Sequence, residues 1–433
     1  MASSGLLPNA YFNRLNVNRL KVESLKVNKL DENKKHHEIL RTHTVVNGPW
    51  EADGIEVIAY DTNHDPVHPA NGFIINYLGR KVILSGDGGF GGIDKDFSYE
   101  YMENYPYTKV LKEVGQDCDL LVNEIESSDA INNFIIPAVE AGAKQLKPED
   151  KEKALVTKQI LLDTFTYHTS PKQVGQIATI LNSKSLVLNH IVPYLPAAFI
   201  PQYFDNPVKA EYKGNFIEGE QFGTIVRLKG NSSELAEVYN KGAVGRPTIY
   251  ELGNNAIDVA LIGRSGPISG AENVCQSCTI VFVGEHALVI DCGSGALGKI
   301  LNPLTGLAPM FYTKKISMLI THYHSDHITG LANFNLQHWI GGAKEPLTVY
   351  GGPGIERLVN GVNEMMYIDY IARKEHHPVI SNGYDVYKLK SSIIVEPEHS
   401  ENSPIHTHEH SHEHNTHSHE HNTHSHEHNT HSH

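Results

Sequence analysis

Ten residues, Thr321–Gly330 (THYHSDHITG), hold His322, His324, Asp326 and His327 within six positions, directly behind the apolar run Ile316–Ile320. Imidazole and carboxylate are the side chains that hold zinc and similar borderline divalent ions. The His-x-His spacing turns two imidazoles to one side of an extended segment. Asp326 and His327 follow the chain as it turns, which lets them face a second ion. A dinuclear hydrolytic site needs about six or seven ligands, one of them bridging. Beyond His327 and ahead of the tail, the remaining histidines are His338, His376 and His377, and none follows an apolar run. The missing ligands therefore have to come from upstream. NHDPVHPANGF offers His64 and His68 behind the apolar Ile55–Tyr60, Asp87 closes LSGDGG behind Lys81–Leu84, and His190 closes LVLNH. Glycines beside Asp87 let the backbone approach an ion closely. Ligands at the ends of several strands are what a site in an α/β fold requires.

The elements that must position these residues read as strands alternating with helices, an α/β layered fold. Ile55–Tyr60, Phe73–Tyr77, Lys81–Leu84, Asp119–Glu124 and Ser185–Leu188 have strand composition, with a turn at Leu78–Arg80. Residues 132–164 read as helical stretches broken near Lys147–Glu149, and Pro171–Leu181 as a helix with proline in its first turn. Residues 230–250 read as a linker. Beyond it, Thr279–Val283 and Ala287–Ile290 form an expected hairpin, and Ile316–Ile320 leads into the histidine cluster. Residues 1–43 form an arm in which LNVNR, LKVES and LKVNK repeat every five residues. One copy of that pattern is too short to bury its apolar side alone, so it pairs with its own domain or with a second copy of the chain, as a homo-oligomer. Residues 396–433 repeat HSHEHNT three times and contain 14 of the 28 histidines. That composition is expected to be disordered without metal.

Composition limits the partners. The chain has 433 residues and a formal charge of −14, which disfavours a protein that grips nucleic acid by neutralising phosphates. No apolar run is long enough for a membrane span, and the first residues lack a secretory signal pattern, so a cytoplasmic protein is expected. Cys118, Cys275, Cys278 and Cys292 are too few to staple a chain of this size and suggest a reducing compartment. The pair Cys275-x-x-Cys278 has no second pair to complete a zinc site.

The sequence of His322–His327 resembles the HxHxDH hallmark of the metallo-β-lactamase superfamily, and neighbouring segments agree. GRSGPISG (263–270), VIDCGSG (289–295) and PLTVYGGPGIERLV (346–359) resemble the opening motifs of that family. NHDPVHPANGFIINYLGRKVILSGDGG, DLLVNEIE and YHTSPKQVGQIATILNSKSLVLNHIVP resemble its later ones, most of all in the branch with ribonuclease Z, arylsulfatase-like hydrolases and lactonases. The order is reversed, which implies a circular permutation: residues 44–229 match the family's second half, 251–395 its first, and 230–250 join its former ends. The resemblance implies an αββα four-layer sandwich with its halves permuted. It implies that His322, His324 and His64 hold one divalent ion, that Asp326, His327 and His190 hold another, and that Asp87 bridges them. His64 is preferred to His68 because the family's ligand stands eight positions before the glycine matching Gly72. Zinc is the expected metal, with manganese or iron as alternatives. Two such ions turn a shared water into hydroxide at neutral pH, and Asp326 belongs to that catalytic centre. His168 resembles the histidine that protonates the leaving oxygen, and Glu124 the acid of the branch's HEA word, although Asn123 stands where that word has His. Asp291 is a candidate partner for a ligating imidazole. The sequence between Asp87 and His190 contains nothing like the Gly/Pro-rich arm with which ribonuclease Z clasps tRNA. The expectation is thus hydrolysis of a small-molecule ester, lactone, phosphodiester or sulfate ester. The alternatives are a ribonuclease Z-like phosphodiesterase and a non-catalytic metal-binding or assembly protein.

Overall fold

The computed structural model describes residues 43–90, 98–267, 274–377 and 383–394, the side chains of 149 and 153–155 apart. The repeat-bearing arm, except His43, and the histidine-rich tail lie outside the described residues. Seven strands pair in sequence order into one sheet: β1 (His43–Val45), β2 (Glu56–Asp61), β3 (Asn71–Tyr77), β4 (Arg80–Leu84), β5 (Leu120–Glu126), β6 (Ser185–Val192) and β7 (Asn215–Ile217). Eight more form a second: β8 (Thr224–Lys229), β9 (Glu237–Tyr239), β10 (Ala256–Gly263), β11 (Cys278–Val283), β12 (His286–Ile290), β13 (Lys315–Leu319), β14 (Thr348–Gly351) and β15 (Lys390–Ile393). Their spatial order is β15-β14-β13-β12-β11-β10-β8-β9.

Strand alternation builds the layers. Along β2, Val57 and Ala59 enter a core shared by both sheets, while Ile58 and Tyr60 pack on the opposite face. Along β11, Val281 and Val283 enter that shared core, while Ile280 and Phe282 face outward. The period of two thus gives each sheet two apolar faces. One face meets the other sheet. The outer face of the first sheet is covered by helices that include Pro106–Gly115 and Pro171–Ile180, and that of the second by helices that include Leu331–Ile340. This is a mixed α/β fold of helices around two stacked sheets.

Two segments differ from the sequence expectation. Residues 230–250 carry β9, paired antiparallel with β8, and β8 itself lies beside β10 in the second sheet. β6 runs to Val192 and not to Leu188, so His190 stands inside a strand at a register shift against β5 and takes a φ of 40°. A three-residue edge strand has too short an apolar pattern to read, and a bulge depends on the partner strand.

The first sheet is pinned by a buried ion pair. Arg80 Nη1 donates to Asp119 Oδ1 at 2.6 Å, Arg80 Nε donates to the Lys229 carbonyl, and Lys184 Nζ lies 2.8 Å from the same Asp119 oxygen. Asp119→Ala strands the buried guanidinium and is expected to cost about 3–5 kcal/mol, read from the denaturant midpoint. A loss below about 1 kcal/mol would contradict this account of the pair.

Candidate metal centre

The strands β4 to β7 are parallel, as are β12 to β15, and the carboxyl ends of the two sets meet. Loops leaving those ends carry Asp87, Asp291 and the Thr321–Gly330 turn, the loop after β2 carries His64, and Glu124 and His190 project from β5 and β6. Asn71 N–H donates to the Thr321 carbonyl and Ile191 N–H to the Arg264 carbonyl, tying the two parts of the chain together at the site. Position 86 calls for glycine twice over, because its φ is 59° and because a Cβ there would run into the Asn71 carbonyl oxygen. A Cβ at Gly266 would stand 2.9 Å from His190 Cε1, so this position has to be bare for the imidazole to fit.

The seven residues expected as ligands come together in two overlapping groups. His64 Nε2 lies 3.2 Å from His324 Nδ1, and His322 Nε2 lies 3.0 Å from the same atom. His190 Nε2 is 3.0 Å and His327 Nε2 3.5 Å from Asp326 Oδ2. Asp87 Oδ2 stands between the groups, 3.3 Å from His190 Nε2, 3.3 Å from His327 Nε2 and 3.8 Å from His322 Nε2. Ligand atoms about 2.1 Å from one tetrahedral ion lie about 3.4 Å from each other, which is the spacing found.

Tautomers decide what these contacts are. The Tyr167 carbonyl only accepts, so its 3.1 Å contact puts the proton of His64 on Nδ1 and leaves the Nε2 lone pair facing the site. His327 Nδ1 lies 2.7 Å from Asp291 Oδ2, and His327 Nε2 is buried with no hydrogen-bond partner. An imidazole lone pair facing carboxylate oxygens at 3.3 and 3.5 Å is repulsive unless a cation or proton stands between them. The donor set thus fits divalent ions. Burial lowers His64 to about 3 and takes His322 well below the usual imidazole range, which keeps both neutral and able to ligate. Burial would raise Asp326, but His190 and His327 together outweigh it and hold the carboxyl down at about 2.

Asp291 organises the motif from behind. It accepts from Thr321 N–H at 2.8 Å and from the Thr321 hydroxyl at 2.8 Å, while it fixes the His327 ring. Asp291→Ala is expected to weaken divalent-metal affinity about 10- to 100-fold with the fold retained. Titration calorimetry reads this, and unchanged affinity would assign Asp291 to the turn alone.

His168 stands beside both groups, its ring centroid 5.1 Å from that of His64 and 5.5 Å from that of His190. Its Nδ1 lies 3.1 Å from Glu124 Oε2, and Glu124 Oε1 accepts from Thr169 N–H at 2.7 Å. Burial would lower the imidazole, but Glu124, with Glu126 and Asp87 adding to it, holds it up at about 10. Nδ1 is taken by Glu124, which leaves Nε2 as the free donor.

Other expectations fall outside the cluster. His68 is exposed and pairs with Asp65 at 3.4 Å. His338 is buried in its helix, and His376 and His377 end the helix Ile355–His376 on the surface. Cys275 and Cys278 are buried free thiols, and no cysteine joins a metal-capable group among the described residues. No helix among them is long and apolar enough to cross a membrane. Sequence reasoning missed the Tyr167 carbonyl, Thr321 and Glu126. Glu126 was legible, because positions 124 and 126 of a strand face the same side.

No family model matches the chain. Ribonuclease Z of Mycobacterium sp. (strain KMS) is 32% identical over 124 residues, 28% of this chain and 41% of that protein. Ribonuclease Z of Clostridium tetani is 34% identical over 116 residues, 26% of this chain and 35% of the relative. The chain thus matches about two fifths of the length of these curated relatives. Among solved structures, the metallo-β-lactamase fold protein YhfI from Bacillus subtilis is 26% identical with a TM-score of 0.21, over 24% of this chain and 42% of that one. The short form of human tRNase Z is 22% identical with a TM-score of 0.20, over 26% and 40%.

Proposed function

We propose that this chain is a metallo-β-lactamase superfamily hydrolase, and within it a dinuclear, metal-dependent phosphodiesterase acting on short nucleic-acid or nucleotide phosphodiesters. The observation that carries the reading is the convergence of His64, Asp87, His190, His322, His324, Asp326 and His327, with the unpartnered His327 Nε2 aimed at Asp87. His64, His322 and His324 would hold one ion and His190, Asp326 and His327 the other, with Asp87 shared; zinc suits an imidazole-rich donor set. Bound there, such a pair supplies Lewis acidity toward phosphoryl oxygens and lowers the pKa of water.

The remaining work belongs to side chains. Glu124 accepts from His168 Nδ1 and so turns Nε2 toward the reacting group. His168 is held protonated at neutral pH, and as a water oxygen bonds to phosphorus and the bond to the leaving oxygen breaks, it gives its Nε2 proton to that leaving oxygen. The Tyr167 carbonyl keeps His64 in the tautomer that ligates. The relatives named ribonuclease Z favour a phosphodiester over the small ester or lactone first expected. The charge of −14 stands against a long phosphate-tracking surface, which is why a short substrate is proposed.

We also propose the permuted order, with 44–229 and 251–395 as exchanged halves joined through 230–250. A permuted chain aligns with an unpermuted relative through one half at a time, in keeping with matches that span about a quarter of this chain. The testing experiment is a hydrolysis screen of zinc-loaded protein across dinucleotides, aryl phosphodiesters, aryl sulfates and lactones. Phosphodiester turnover that a chelator abolishes and zinc restores is expected. Turnover of lactones or sulfates alone, or of nothing, would reject the reading.

A further inference from the structure

Glu126, two residues beyond Glu124 on β5, is a buried carboxylate to which the mechanism above gives no contact with substrate. Its side chain is 2% exposed. One oxygen, Oε1, lies 3.0 Å from the Thr164 hydroxyl, at the end of the helix Pro148–Asp163. The other, Oε2, has no hydrogen-bond partner. It stands 3.9 Å from His168 Nε2, the atom assigned to the leaving oxygen. That gap is too long for a direct hydrogen bond, whose heavy atoms sit about 2.7–3.2 Å apart. Ligand oxygens lying to one side of that gap, off the line joining the two atoms, can each sit about 2.8 Å from its partner.

We infer that Glu126 is a specificity-determining residue that accepts a hydrogen bond from a hydroxyl neighbouring the leaving oxygen, so that the site selects leaving groups with a vicinal hydroxyl, as ribose has. The inference rests on the phosphodiesterase reading. In this arrangement the leaving oxygen accepts from His168 Nε2, and the adjacent hydroxyl donates to Glu126 Oε2. The two carbon-borne oxygens, each about 2.8 Å from its protein partner, close a four-membered ring of polar contacts across the gap. A leaving group without that hydroxyl leaves the buried acceptor unpaired, the kind of mismatch that discriminates strongly between substrates. Burial pushes the Glu126 carboxyl up to about 7, with His168 and Thr164 pulling it down, Glu124 pushing it up and His190 again pulling it down. Thr164 fixes the carboxyl plane from the neighbouring helix, and the Glu126 backbone N–H donates to the Thr169 carbonyl, one residue past His168.

The test compares uridylyl-(3′→5′)-uridine with its analogue lacking the 2′-hydroxyl on the leaving side, on zinc-loaded full-length protein, with products resolved as nucleoside and 5′-nucleotide. The parent is expected to prefer the ribonucleotide by at least about 10-fold in kcat/KM. Glu126→Gln and Glu126→Ala should lower ribonucleotide cleavage far more than deoxy cleavage, so that the preference in kcat/KM falls to about twofold or less. Thr164→Val, which keeps the carboxylate but frees its other oxygen, should lose part of the preference and serves if the Glu126 variants do not fold. A parent without preference, or variants that slow both substrates equally, would overturn the inference while the phosphodiesterase reading stands. Cleavage of neither substrate by the parent, with an empty hydrolysis screen, would remove both.

Discussion

Asp87→Ala protein is expected to lose phosphodiester turnover by about 10³-fold or more and to bind fewer divalent ions than the parent. Among the described residues, Asp87 Oδ2 is the one carboxylate oxygen within 4 Å of histidines from both groups: His322 on one side, His190 and His327 on the other. Removing it leaves His327 Nε2 facing Asp326 alone and takes one negative charge from a buried, histidine-rich cavity. Metal catalysis contributes several kcal/mol of transition-state stabilisation, and about 1.4 kcal/mol is tenfold in rate, hence the size of the loss. Metal content after desalting, by elemental analysis, separates this from a folding defect. Full stoichiometry with full activity would show that the carboxylate bridges nothing.

His168→Ala makes the opposite split. Turnover should fall about 10²- to 10⁴-fold on substrates with a poor leaving group, with metal content unchanged. On bis(p-nitrophenyl) phosphate, whose leaving oxygen needs little protonation, the loss should be small. The imidazole is held protonated at neutral pH because Glu124, with Glu126 and Asp87, outweighs the cost of burial. The donor is therefore charged below its raised pKa and neutral above it, so the parent's rate should fall as pH rises through that transition. The variant should lack this alkaline limb. Equal losses on both substrates, or a drop in bound metal, would move His168 from proton donor to ligand. Its closeness to His64 and Asp87 makes that a real alternative to measure.

The legible part of this protein was its local chemistry. His322–His327 is dense enough to read in any context, and His64, Asp87 and His190 could be found because each follows a run of strand-forming residues. The layered α/β character was legible from the same runs, whose alternation appears in the structure as two faces on β2 and β11. The Tyr167 carbonyl that orients His64 was not, because a backbone acceptor carries no residue identity. The left-handed φ of His190 and the need for a bare Gly266 arise where two segments distant in sequence touch, and neither segment shows it alone. β9 hid in residues 230–250 because three residues at a sheet edge carry too little pattern. Glu126 was in view from the strand period but was passed over, since its orphaned oxygen appears only when Thr164 and His168 are in place.

The central claim is that residues 64–190 and 322–327 make one dinuclear centre. A crystal of zinc-loaded protein, with anomalous differences recorded on either side of the zinc edge, tests it most directly. The account predicts two peaks, one against His64, His322 and His324 and one against His190, Asp326 and His327, both within bonding distance of Asp87. Zinc found solely on the histidine-rich tail, or a single ion held without Asp87, would contradict it.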